Sequence, residues 1–264
     1  MIGIFDSGVG GLTVVKQVEQ ALPQYKIIYF GDTARVPYGN KSPEIIKKYA
    51  KQDLEFLLSR GSKIVIIACH TVSAIAGEYL RQKYPDTPIF DVVRPGLDQA
   101  IQITRNNKIG IIGTENTVKS KAHEKYLKTI NKDVKVFYQA CPLLVPLAEE
   151  GWLKRQETRR IIRHYLKSLK KNKIDTLVLA CNHYPLLANV ISQIAGKSVK
   201  VIDPAHEVAR QMKDYFKNNS AIAEKLAKNG QQHEFYASDV SDKFRNISKK
   251  VLGREISIKQ VEVI

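Results

Sequence analysis

Two stretches of the chain end alike. Ile64-Val65-Ile66-Ile67-Ala68-Cys69-His70-Thr71 and Thr176-Leu177-Val178-Leu179-Ala180-Cys181-Asn182-His183 are short β-branched or apolar runs that close on Ala-Cys and a polar residue, with a helical pattern after them. Runs without polar alternation read as strands buried on both faces, as in a parallel sheet. Each cysteine is therefore expected at the carboxyl end of a strand, the edge where open α/β sheets bind ligands. A helix N-terminus close by favours a thiolate over a thiol. Cys69 and Cys181 stand in matching contexts in the two halves of the chain, as two thiols facing one pocket would.

One cysteine with His and Asp would suit nucleophilic catalysis, but that needs a single thiol. Two thiols in similar surroundings suit a rarer chemistry, in which a thiolate removes a proton from one face of a carbon while a thiol protonates the other, with roles exchanged in reverse. The candidate helpers are Asp6, at the end of the first strand, and His183, two residues beyond Cys181. A lone histidine usually only satisfies its local structure; a place beside a strand-end cysteine favours function. Cys141, followed by Pro142 and without a polar helper, reads as a small hydrophobe.

The elements that must position these groups alternate between strand and helix. Residues 2–5 form an apolar strand leading into Asp6-Ser7-Gly8-Val9-Gly10-Gly11, a tight turn that brings backbone close to a ligand. Its glycines lack the G-x-G-x-x-G spacing of a dinucleotide site. A helix is expected over 12–22, a strand over 26–30, and a loop through Gly31-Asp32-Thr33-Ala34-Arg35-Val36-Pro37-Tyr38-Gly39. Ser42-Pro43 begins a helix that Gly61 ends. After the first cysteine strand come a helix to about Tyr84 and a strand over 89–92. Residues 91–96 read as a linker and 113–117 as a small polar loop, with strands at 108–112 and 134–138. An amphipathic helix over 156–171 precedes the second cysteine strand. Helices over 185–194, 205–216 and 240–252 and strands at 199–202, 235 and from 256 complete the pattern, with 217–231 polar and ragged. Such alternation implies parallel sheets. The fold class is α/β: two similar parallel-sheet lobes, residues 1–93 with about 207–264 and residues 94–206, with the active site expected in the cleft between them.

At 264 residues with 44% hydrophobic and 26% charged residues, the chain has the size and composition of a globular α/β protein. No run reaches the roughly 18 apolar residues of a membrane span, and the N-terminus lacks a signal-peptide pattern. Three cysteines fit a reducing compartment, so a cytoplasmic location is expected. Neither CxxC nor HxxxH occurs, so no metal site is expected. The net charge of +16 raises the question of nucleic acid. The lysines are spread over many segments without a nucleic-acid-binding motif, which favours a solvated basic exterior with a mild bias toward anionic small molecules.

Asp6-Ser7-Gly8-Val9-Gly10-Gly11-Leu12, Gly31 to Gly39, Ala140-Cys141-Pro142-Leu143 with Pro146-Leu147, and Cys181-x-His183-Tyr184-Pro185-Leu186-Leu187, in that order over nearly the whole chain, resemble the cofactor-independent aspartate/glutamate racemase family, and within it the glutamate racemases. The resemblance implies interconversion of L- and D-glutamate, supplying D-glutamate for peptidoglycan, without pyridoxal phosphate or any other cofactor. It implies that Cys69 and Cys181 are the acid/base thiols, assisted by Asp6 and His183 respectively. Ser7 and Thr71 would hold the amino-acid end of the substrate. The Pro37-Tyr38-Gly39 turn, through backbone N–H groups, and Thr117 would hold the side-chain carboxylate. Glu149 resembles a family glutamate near the active site. Members are often dimers, so a homodimer is compatible, with no interface readable in the residues.

Two positions depart from the family pattern. His70 stands where members typically have Asn, and Asn182 where they typically have Thr. Both are expected to contact the α-amino and α-carboxylate groups. Either the two exchange roles, or they alter substrate choice or rate. The alternatives are a racemase of aspartate or another acidic amino acid, and a homologue that has lost catalysis and binds nucleic acid or protein.

Overall fold

The computed structural model describes residues 1–226 and 232–263. In chain order the strands and helices are β1 (Ile2–Asp6), α1 (Leu12–Ala21), β2 (Ile27–Gly31), α2 (Pro43–Ser59), β3 (Ile64–Ile67), α3 (His70–Lys83), β4 (Ile89–Asp91), α4 (Val93–Ile103), β5 (Lys108–Gly113), α5 (Glu115–Lys119), α6 (Ala122–Ile130), β6 (Lys135–Ala140), α7 (Leu144–Glu149), α8 (Gln156–Lys171), β7 (Thr176–Ala180), α9 (Ala188–Ala195), β8 (Lys200–Ile202), α10 (Pro204–Asn218), α11 (Ser220–Glu224), β9 (Glu234–Ala237), α12 (Asp242–Leu252) and β10 (Ile258–Gln260). They pack as two compact units, Met1–Val92 with Ala205–Ile264, and Val93–Pro204.

The first unit is built on a six-stranded sheet in the order β10-β9-β2-β1-β3-β4, every pair parallel. Its central strands are buried along their whole length, which is why they read as unbroken apolar runs. One helical layer, α2 and α3, packs Ile46, Ala50, Leu54, Leu57, Val72, Ala76 and Leu80 against Phe5, Phe30, Val65 and Ile67. Ser42 Oγ accepts the Ile45 N–H at the start of α2, and Gly61 follows its end with φ +86°.

The second unit repeats the plan with four parallel strands, β6-β5-β7-β8. The succession β6, β5, β7, β8 corresponds to β2, β1, β3, β4. In each unit the first strand of the motif is extended on one side by its second strand and on the other by its third. That reversal is the topological switch point, and its carboxyl edge is where such sheets bind ligands. Cys69 follows β3 and Cys181 follows β7, so each thiol stands at the switch point of its own sheet.

Three expectations are corrected. Residues 91–96 are not a linker: α4 begins at Val93 and buries Val93, Pro95, Gly96, Leu97 and Ala100. Pro95 is tolerated because the first N–H groups of a helix have no intrahelical acceptor. Residues 113–117 are not a loop, since the Thr114 side chain caps α5 by accepting the Thr117 N–H. Within 217–231, Ser220–Glu224 is helical, and 227–231 lie outside the described residues. Helix α6 has no counterpart in the sequence reading; only His123 and Leu127 of it are buried, too sparse a stripe to stand out in the sequence.

Candidate active site

In the first unit the turn after β1 folds over its own carboxylate. Asp6 is fully buried, and its Oδ2 accepts the backbone N–H groups of Gly8 (3.0 Å) and Gly11 (2.9 Å). Gly11 is required here: a Cβ would lie 2.4 Å from the Asp6 Cβ and 2.9 Å from its Cγ. The glycine-rich turn is thus a cradle for the protein's own carboxylate. Tyr29 reaches up from β2 to donate its hydroxyl to the Gly8 carbonyl. Burial, then the charges of Asp6 and Cys69, push the Tyr29 phenol well above its ordinary range, so it stays a neutral donor.

Cys69 occupies the N-cap position of α3 and is buried. Its Sγ lies 3.4 Å from Ser7 Oγ, which brings the turn after β1 to the thiol at the end of β3. His70 and Thr71, the first two residues of α3, are buried as well.

The turn at 37–39 is held from below by a network that sequence reasoning missed. The Tyr38 hydroxyl donates to Asp32 Oδ2, and it also lies 3.4 Å from Asp53 Oδ2. Arg35 donates to Asp32 (2.6 Å), Gln52 (2.6 Å) and Asp53 (2.9 Å), and Ser238 donates to Asp32 Oδ1 (2.9 Å). Burial and then the Asp32 charge push the Asp53 carboxyl well above the carboxylate range, with Arg35 opposing. Pro37 is exposed, Tyr38 buried and Gly39 half-buried. The available signal was Asp53, an acidic residue among the core-facing positions Ala50, Leu54 and Leu57 of α2.

In the second unit three side chains form a line. Cys181 Sγ lies 3.9 Å from His183 Nδ1, and His183 Nε2 lies 3.2 Å from Glu149 Oε1 on α7. Burial opposes a charged imidazole, but the hydrogen bond to Cys181 and the close contact with Glu149, with their negative charges, outweigh it. The His183 pKa is raised to about 10. Tyr184, fully buried, donates to the Cys141 carbonyl (2.8 Å) and ties the end of β7 to that of β6. Cys141 itself is fully buried in the apolar core, where burial pushes its thiol far up. Thr117 is fully buried, 2.9 Å from Thr114 Oγ1. Gly113 makes room for it: a Cβ there would lie 3.0 Å from Thr117 Cγ2 and 2.9 Å from the Ala180 carbonyl. Asn182 is buried between the cysteine and the histidine in sequence.

The structure therefore gathers Asp6, Ser7, Cys69, His70 and Thr71 at one sheet edge of the first unit, with Tyr38 anchored to Asp32. It gathers Cys181, Asn182, His183 and Glu149 at the corresponding edge of the second, with Thr117 at the end of the neighbouring strand. Among the described residues, no cluster of His, Cys, Asp or Glu could hold a metal ion, and no helix is long and apolar enough to cross a membrane.

Residues 7–212 match the family model for Asp/Glu/hydantoin racemases. The chain belongs to that family. Among curated relatives, the glutamate racemase of Geobacter metallireducens is 45% identical over 97% of this chain and 93% of its own. That of Neisseria meningitidis serogroup A is 44% identical over 100% and 96%. Among solved structures, the glutamate racemase of Francisella tularensis in complex with D-glutamate superposes with a TM-score of 0.92 at 33% identity, covering 99% of this chain and 97% of that one. This racemase thus shares both sequence and fold with enzymes named for glutamate.

Proposed function

We propose that the protein is a glutamate racemase that uses Cys69 and Cys181 on opposite faces of the substrate Cα, without a cofactor. The observation that carries this reading is the duplication: each sheet ends its switch-point strand in a buried thiol with its own polar partners. Cys69 has Ser7 at 3.4 Å with the Asp6 carboxylate at the end of the adjacent strand, and Cys181 has the His183–Glu149 pair. A single-nucleophile hydrolase or transferase would need only one such arrangement.

In one direction the Cys69 thiolate takes the Cα proton and becomes a thiol, while the Cys181 thiol protonates the opposite face and becomes a thiolate. The reverse direction exchanges the roles, and no other group need change its protonation. A charged His183, held by Glu149, stabilises the anionic form of the Cys181 sulfur through hydrogen bonding and charge. Asp6 serves the Cys69 side, its carboxylate fixed by two backbone N–H groups. Ser7, Thr71, His70 and Asn182 would hold the α-amino and α-carboxylate groups. The backbone of the Pro37-Tyr38-Gly39 turn and the Thr117 hydroxyl would hold the side-chain carboxylate. The D-glutamate formed would supply peptidoglycan, in a cytoplasm where the three free thiols stay reduced.

The test is racemisation in heavy water. Wild-type protein should place deuterium at Cα of both glutamate enantiomers, and more slowly or not at all in aspartate. Cys69→Ala and Cys181→Ala should each lower kcat by at least about 10²–10⁴-fold, the range for general acid–base catalysis. Absence of exchange from either glutamate enantiomer rejects the reading, and faster turnover of aspartate reassigns the substrate.

A further inference from the structure

The charge distribution on α8 is not explained by racemisation. The helix carries six basic residues against one acidic residue, Glu157. It is fixed to its unit by Thr158, Ile162, Leu166 and Leu169, all buried. Four of the basic residues, Arg159, Arg163, Lys167 and Lys170, line a groove of about 490 Å³ together with Gln193 and Ile194 of α9. Among the described residues no carboxylate lines it. Arg159 donates to Gln193 Oε1 (2.7 Å) and Lys170 to the Ile194 carbonyl (2.9 Å). Both acceptors are neutral, so the cations are oriented but keep their charge. Arg163 and Lys167 are exposed and make no ion pair with a described residue.

The four positions are separated by four, four and three residues, so they lie on one face and span about 16 Å at 1.5 Å per residue. A single phosphate group occupies only a fraction of that length. A duplex strand advances 3.4 Å along the axis per phosphate but winds away as it does so, so the same span faces about two or three phosphates of one strand, with those of the other strand across the groove. The lining has no aromatic ring on which a base could stack, and Gln193 is already engaged by Arg159. We infer that this groove binds the phosphate backbone of duplex nucleic acid without reading its sequence. The net charge of +16 draws such a polyanion toward the protein, and the groove is where four cations are lined up to receive it.

The salt dependence of binding tests this. Anisotropy of a labelled 20-base-pair DNA duplex, titrated with the full chain, should give a log Kd against log salt slope near 3.6 for four phosphate contacts, or about a 150-fold loss of affinity between 50 and 200 mM. Arg163→Gln with Lys167→Gln should halve the slope, leaving about a 12-fold loss over the same range. Lys167→Glu alone should lower it by about 0.9 or more. Lys132→Gln with Lys135→Gln, the same charge change elsewhere in the unit, should leave it near the wild-type value. Racemisation should be unaffected in all three variants, which shows that they are folded. No binding at 50 mM salt overturns the inference, and so does an unchanged slope in the groove variants. Tighter binding of long-chain polyphosphate or of anionic-lipid vesicles at equal phosphate overturns the nucleic-acid assignment.

Discussion

Replacing Glu149 by Gln keeps the shape of the side chain and removes the charge that faces His183 Nε2 at 3.2 Å. A hydrogen bond to a charged group contributes about 1.5–3 kcal/mol, and one pKa unit corresponds to 1.36 kcal/mol. The Glu149 side chain is 27% exposed, so solvent screening favours the lower part of that range. The His183 pKa should therefore fall from about 10 by about one to two units. Its raised value means that the folded state binds the proton more tightly than the unfolded chain. That contribution to stability is complete below the unfolded value of 6.5 and is lost as pH rises through about 10. Glu149→Gln should thus be less stable than wild type by about 1.4–2.7 kcal/mol at pH 6, the equivalent of those one to two units, and nearly equal to it above pH 10. Imidazole ¹⁵N NMR gives the titration directly, and urea unfolding at the two pH values gives the stability difference. A His183 midpoint that moves by less than about 0.3 units refutes the electrostatic role of Glu149. A deficit that persists undiminished above pH 10 refutes it too, assigning the loss to packing instead.

Gly11→Ala should destabilise the fold by about 1–3 kcal/mol through overpacking and displace the Asp6 carboxylate. Thermal unfolding should show a lower Tm, and racemisation should fall with it; a variant with native Tm and full activity would show that the cradle tolerates a methyl group. Tyr38→Phe removes the donor to the fully buried Asp32 and should cost about 1.5–3 kcal/mol by chemical denaturation. Its KM for glutamate should rise more than its kcat falls, because the proposed role of the turn is to bind the distal carboxylate; an unchanged KM would remove the turn from the binding site.

Much of the candidate site was legible because its residues sit at the ends of apolar runs. Ile64–Ile67 and Thr176–Ala180 announce strands buried on both faces, and a polar residue directly after such a run has to stand at the sheet edge. Cys69, Cys181, Asp6 and His183 were all singled out as candidates in that way. Glu149 was reached only through resemblance, since 34 residues separate it from His183 and no periodicity links α7 to the end of β7. The Asp32–Arg35–Tyr38–Asp53 network was missed for the same reason: Asp53 lies on a helix that only packing brings under the loop. The supposed linker at 91–96 shows the opposite error. Pro95 and Gly96 suggested a break locally, but an apolar face beneath them favoured a helix.

From its sequence alone the chain was bound to parallel α/β structure, to two strand-end thiols and to the racemase family, because strand burial, turn glycines and short motifs are local properties that a few neighbouring residues encode. The order of strands in the two sheets, which sets both cysteines at equivalent switch points, belongs to the tertiary structure. So do the pairing of His183 with Glu149, the closing of the glycine turn onto Asp6 rather than onto a phosphate, and the alignment of four cations beside α9. Each depends on distances between residues far apart in the chain, and those distances exist only once the hydrophobic layers have packed.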